Sequence, residues 1–177
     1  MKLVLATNNQ GKVREMSKIL AAYGIEVLSL RDFPLIGDIE EDGDTFKSNA
    51  IKKATVTAEL SGLTALADDS GLEVDYLNGA PGVFSARFAG EEKSDQANNK
   101  KLLNLLAGVP PEKRTARFQC VIAIARPGGP VYTVQGTCEG MIAGEPRGEG
   151  GFGYDPLFYL PEYEKTFAEI DIELKNR

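Results

Sequence analysis

A chain of 177 residues, 42% hydrophobic and 26% charged, can bury a core without disulfide or metal staples and fits one domain or two lobes sharing a core. Its 26 Asp and Glu against 20 Lys and Arg give a net charge of −6, which argues against binding a nucleic-acid polymer but leaves room for a small anion held by local cations and a metal. It has no histidine, so Ser-His-Asp catalysis and imidazole zinc sites are excluded; a general base must be Asp, Glu, Lys, Tyr or Cys, and a metal must be a hard, oxygen-liking ion.

The first element is a buried strand, KLVLA at 2–6, ending in Thr7-Asn8-Asn9-Gln10-Gly11. Val13, Met16, Ile19, Leu20 and Tyr23 then recur at helical spacing up to Gly24, and EVLSL reads as the next strand. An acidic loop, Gly37 to Asp44, leads into a second helix whose buried stripe is Phe46, Ala50, Ala54 and Ala58, with Gly62 at its end. LTALAD is a strand expected to deliver Asp68 and Asp69 at its C-terminal end, before a sharp turn at Ser70-Gly71. NNKKLLNLLAG marks a third helix. ARFQCVIAIA, apolar on both alternating faces, predicts a strand covered on both sides, and PVYTVQGTCEGMI continues as its partner after the Pro-Gly-Gly turn at 127–129. Helices and strands interleave throughout, which predicts an α/β class with a mixed sheet. Cys120 and Cys138 fall in strands and read as buried thiols rather than a disulfide. No apolar run approaches a membrane span, and the expected location is cytoplasmic, without a membrane partner.

Four stretches carry groups suited to chemistry, each with an ordinary structural alternative. ATNNQGKVRE joins a strand to a helix start, where free N–H groups and Lys12 favour an anion; the alternative is a capped helix with a surface lysine. In EEDGDTFKSNAIKKA, Glu40 and Glu41 offer metal ligands and Lys53 a phosphate contact, against a solvated acidic loop. Asp68 and Asp69 point to opposite sides of an extended chain, so one can face a ligand while the other holds structure; the alternative is an Asx turn. GEGGFGYDPLF combines glycines that let the backbone approach a flat ligand with an aromatic ring that can stack on a base, or is a glycine-rich turn with a core aromatic.

Taken together, T-x-N-x-x-K, N-A-x-x-K-A, DDSGLEVDYLNGAPGVFSARFAG and GGFGYDPLF resemble, in order and spacing, the inosine triphosphate pyrophosphatase family over essentially the whole chain. The resemblance implies a mixed central sheet flanked by helices, with two lobes and a cleft between them, in a single domain over 1–177, and a homodimer. It implies Mg²⁺-assisted hydrolysis of ITP, dITP or XTP to the monophosphate and pyrophosphate. By motif, Thr7, Asn8, Asn9, Gln10, Gly11 and Lys12 meet the triphosphate with Lys53. Glu41, or its neighbour Glu40, and Asp69 ligate the metal. Asp69 is the proton acceptor, supported by Asp68, and Ser70 contacts substrate. Phe152, Gly153, Tyr154 and Asp155 form the base loop, which Lys175 approaches. Lys175 and the N–H groups near Gly153 and Tyr154 are candidates for reading the 6-oxo group.

The family pattern continues past its K-x-x segment into a Ser-His-Arg motif on a last helix, whereas this sequence stops at Lys175-Asn176-Arg177. Either the sequence is truncated beyond Arg177 or part of the site has been lost; for the chain ending there, the expectation is reduced activity or weakened base specificity, with the fold retained and apolar surface exposed where that helix docks. The alternatives are a nucleotide-binding or sensing protein without catalysis, and a pyrophosphatase for modified pyrimidine nucleotides.

Overall fold

The computed structural model describes residues 1–175; Asn176 and Arg177, the end of the K-x-x segment, lie outside them. Among the described residues, seven strands form one open sheet in the order β2-β1-β3-β4-β5-β6-β7. They are β1 (Lys2–Leu5), β2 (Glu26–Ser29), β3 (Ala65–Val74), β4 (Thr115–Ala125), β5 (Val131–Ile142), β6 (Phe158–Leu160) and β7 (Lys165–Thr166). The helices are α1 (Gln10–Ala21), α2 (Phe46–Ser61), α3 (Asp95–Leu105) and the short α4 (Ile172–Lys175). β1 runs parallel to β2 and β3, whereas β6 runs antiparallel to β5 and β7, so the sheet is mixed. Parallel pairing requires crossovers, and α1 and α2 supply them.

The chain forms two compact units, residues Met1–Asp69 with Cys120–Gly136, and Ser70–Gln119 with the chain from Thr137 onward. In the first, Leu3, Leu5 and Leu66 make a small core against Val13, Met16 and Leu20 of α1. These three α1 residues follow the expected helical spacing, but Ile19 and Tyr23 do not belong to the stripe and are 55% and 76% exposed. Phe46, Ala50, Ala54 and Ala58 are all buried, as expected; alanine at three consecutive turns lets α2 pack closely. Its helix ends on Gly62 with a left-handed backbone. In the second unit, Leu72, Val74, Leu102, Leu106, Leu157 and Phe158 are core residues with virtually no exposure. Each such side chain stabilises by about 1.5–3 kcal/mol through burial. Phe118, Phe158 and Phe167 add tilted and stacked ring contacts at centroid distances of 4.6–5.6 Å.

β3 departs from the expected boundaries. It does not stop at the two aspartates but runs through Asp68-Asp69-Ser70-Gly71 to Val74. The buried Leu72 and Val74 anchor its second half in the core of the second unit, and that burial overrides the turn preference of Asp-Ser-Gly. The sharp turn comes later, at Asn78-Gly79, both with positive φ. β4 is also less covered than expected: several of its side chains are half-buried and Ile124 is 38% exposed. Cys120 and Cys138 form no disulfide among the described residues, and they are half-buried rather than fully buried. No helix among the described residues is long and apolar enough to cross a membrane.

Candidate active site

The first unit brings together the phosphate-loop and carboxylate candidates. The β1–α1 junction is organised by its own side chains. Thr7 Oγ1 accepts from the Asn9 N–H (3.1 Å), and Asn9 Oδ1 accepts from the N–H groups of Gly11 (2.9 Å) and Lys12 (3.2 Å). Asn9 is thus the N-cap of α1, so part of the anticipated anion-binding N–H set is internally capped. Asn8 is exposed and reaches Asp38 at 3.4 Å. The Gln10 side-chain nitrogen is buried with no hydrogen-bond partner among the described residues, leaving one donor uncommitted at this junction.

The two aspartates have separate partners, as alternation along a strand requires. Lys12 Nζ donates to Asp68 Oδ2 at 2.7 Å. Burial pulls the Lys12 ammonium down, but the Asp68 carboxylate more than offsets it, and its pKa is raised. Asp69 is 6% exposed, and its Oδ2 has no hydrogen-bond partner among the described residues. Burial pushes its carboxyl up to about 6, with Glu41 adding to the rise while Lys53 and the Asn49 amide oppose it. A buried carboxylate of this kind is poised to take a proton or a cation near neutral pH.

α2 organises the acidic loop beside them. Lys53 Nζ donates to Glu41 Oε1 at 3.2 Å and to the backbone carbonyl of Asp68. Lys52 pairs with Asp42 at 2.8 Å, and Asn49 Oδ1 accepts the Gly43 N–H at 2.7 Å. Three side chains of one helix therefore hold three consecutive loop residues. This geometry favours Glu41 over Glu40, which points to solvent as an exposed residue. Ser70 is exposed on β3, directly after Asp69.

No group of three or more His, Cys, Asp or Glu side chains forms a ready-made metal cage among the described residues. Mg²⁺ does not need one, because it is commonly held by one or two carboxylates together with water and substrate phosphates. The unpartnered Oδ2 of Asp69 and the neighbouring Glu41 carboxylate are hard oxygen donors that fit this pattern.

The second unit holds the aromatic loop. Asp155 is buried, and its Oδ2 accepts both from the Phe152 N–H (3.0 Å) and from Lys175 Nζ on α4. Lys175 also lies 4.7 Å from the centroid of the Phe152 ring, which is 56% exposed. The approach is tight: Gly151 has φ +70°, and a Cβ there would collide with the Asp155 carboxylate. Tyr154 is buried and donates its hydroxyl to the Ser85 carbonyl at 2.6 Å; burial first, and Asp95 second, push its pKa up. The Gly153 N–H, one of the groups expected near the 6-oxo atom, is already committed to Asp95 at 2.9 Å. Asn99 Nδ2 donates to the Gly153 carbonyl at 3.0 Å. Neither Asp95 nor Asn99 stood out in the sequence, where NNKKLLNLLAG marks a helix and nothing more; their i, i+4 spacing was the available signal.

A sequence profile of the Ham1 family matches residues 3–177. The chain is 65% identical over 176 residues to the dITP/XTP pyrophosphatase of Desulforamulus reducens, covering 99% of this chain and 88% of that protein. It is 56% identical to the dITP/XTP pyrophosphatase of Geobacter sulfurreducens, with the same coverage of each chain. The solved structure of the Staphylococcus aureus Ham1 protein superposes with a TM-score of 0.90 at 44% identity, covering 100% of this chain and 90% of that one. A profile match over nearly the full length, with identities this high, makes the chain a member of the Ham1 family.

Proposed function

We propose that this chain is a nucleoside triphosphate pyrophosphatase that hydrolyses deaminated purine nucleotides (dITP, XTP and ITP) to the monophosphate and pyrophosphate. The observation that carries the reading is Asp69, a buried carboxylate with an unpartnered oxygen beside Glu41 and Lys53, in a chain 65% identical to a dITP/XTP pyrophosphatase. In this reading Glu41 and Asp69 would hold Mg²⁺, which when bound would acidify water and neutralise phosphate oxygens.

The remaining roles follow from the chain's own groups. Asp69 accepts the proton of the attacking water, as a buried carboxylate whose Oδ2 has no hydrogen-bond partner among the described residues. Water attacks the α-phosphorus, the bond to the bridging oxygen breaks, and pyrophosphate leaves. Lys12 and Lys53 place ammonium charge where negative charge develops. Asp68 keeps Lys12 charged and oriented until phosphates compete for it. The Thr7–Gly11 turn shapes the phosphate end, and Ser70 contacts substrate. Phe152 stacks on the base, while Lys175, held by Asp155, faces its polar edge.

Two cysteines outside any disulfide and a nucleotide substrate fit action in the cytoplasm. The reading also includes a homodimer, supported by the exposed Tyr132 and Val134 of β5, 66% and 65% accessible. Sedimentation at micromolar concentration should give twice the chain mass.

The decisive measurement is pyrophosphate release from dITP, XTP and ATP with Mg²⁺ and with chelator. Release that requires Mg²⁺ and favours dITP and XTP over ATP is expected. Binding of dITP without release would instead make the chain a nucleotide-binding protein, and equal rates on ATP would remove the assigned specificity.

A further inference from the structure

The aromatic loop is held from two directions within the second unit. Asp155 and Lys175 make one hold, already assigned to the base site. The other comes from α3, where Asp95 and Asn99 stand one turn apart and bind the two peptide groups that meet at Gly153. Asp95 takes the N–H and Asn99 the C=O, so both polar backbone atoms of one glycine are committed to side chains. Gly153 has φ +60°, and a glycine left free would cross between conformations at little cost. A flip of either adjoining peptide must break one of these bonds.

The position of α3 is itself secured. Ser94 caps the helix through the Ala97 N–H at 3.2 Å, so Asp95 is not needed as the cap. Asn98 holds the segment 85–89, donating to Ala86 O (2.8 Å) and accepting from Ala89 N (2.7 Å), and the Tyr154 hydroxyl reaches Ser85 O. Asn99 Oδ1 is buried and has no partner among the described residues. An apolar residue would avoid burying that oxygen, so the position is explained by the amide N–H that Gly153 receives.

We propose that Asp95 and Asn99 are positioning residues for nucleobase recognition: they fix the Gly153 turn that presents Phe152, and thereby set affinity for the base without entering the chemical step. The proposal rests on the reading of Phe152–Asp155 as the base loop. Phe152 inherits its direction from the backbone, since its ring is mostly exposed and the Lys175 ammonium is the cation against it.

The test uses the full chain with Mg²⁺ and dITP, comparing Asn99→Ala, Asp95→Ala, Asp95→Asn and the same-helix control Lys100→Ala, at an exposed position. Each alanine variant at the clamp is expected to raise KM for dITP about threefold to tenfold, the loss of one hydrogen bond. Unchanged kcat would place the loss in binding rather than in the transition state alone. Asp95→Asn keeps an acceptor and should recover most of the affinity; Lys100→Ala should leave KM unmoved. Inhibition by inorganic tripolyphosphate, which lacks a base, should be the same in every variant. An unmoved KM for dITP in both alanine variants overturns the proposal, as does equal weakening of tripolyphosphate, which would mark general damage. If Asn99→Ala does not fold, the contrast between Asp95→Ala and Asp95→Asn decides. An inactive wild-type chain removes the functional reading and this proposal together, whereas an active wild type with unmoved KM removes the proposal alone.

Discussion

Asp69 is stable only as a compromise. Its carboxyl is buried, its Oδ2 lacks a partner among the described residues, and its pKa is pushed up to about 6. A folded-state pKa above the unfolded value means that the folded chain holds the extra proton between about pH 4 and 6. Stability from this group is therefore full below that window and lost as pH rises through it. Without metal, Asp69→Asn should stabilise the protein at pH 8 by about 1–3 kcal/mol, and the gain should shrink towards zero at pH 4. The same variant should lose kcat by roughly 10²–10⁴-fold, the contribution of a positioned base. Urea unfolding at both pH values in chelator, beside pyrophosphate release with Mg²⁺, reads the two effects. A variant less stable than wild type at pH 8 would contradict the burial argument, and one that retains activity would remove Asp69 as the base.

At the scale of elements, α2 joins structure to chemistry by clipping the acidic loop at Glu41, Asp42 and Gly43. Asn49 is the buried member of the clip, 1% exposed, and its amide also faces Asp69. Asn49→Ala should raise the Mg²⁺ concentration for half-maximal activity about tenfold to a hundredfold, as loss of a group supporting metal ligands does. It should also cost about 1–3 kcal/mol of stability for the unpaired Gly43 N–H. Unchanged Mg²⁺ dependence with that stability loss would confine Asn49 to a structural role. α2 was legible from sequence because Phe46, Ala50, Ala54 and Ala58 recur every four residues and all are buried. The course of β3 was not, because Asp68-Asp69-Ser70-Gly71 has turn chemistry and only the burial of Leu72 and Val74 extends the strand. The residue types of the site were legible, but their pairing was not. Lys12 meets Asp68 across 56 positions, and the hold of Asp95 on Gly153 spans 58, separations over which local pattern carries no information.

For the whole molecule, ligand binding and folding are linked. A ligand that binds only the folded chain stabilises it by about 2.7 kcal/mol at a hundred times its Kd. For a protein of this size that corresponds to a rise in Tm of roughly 5–10 °C. The ligand must survive the measurement, so the probe is dITP with nitrogen replacing the oxygen between the α- and β-phosphates, compared with the same analogue of ATP. With a net charge of −6, the chain has no general attraction for a polyanion, and in the proposed function the stabilisation comes from Lys12, Lys53 and the metal locally. The dITP analogue is therefore expected to raise Tm with Mg²⁺ and to lose most of the effect in chelator. The ATP analogue, sharing the phosphates but not the base, should give a smaller rise under the same conditions. Equal shifts for the two would mean that the Phe152–Asp155 loop does not discriminate in binding. A full shift in chelator would mean that the lysines suffice for the phosphates, leaving Glu41 and Asp69 without a metal-dependent part in affinity.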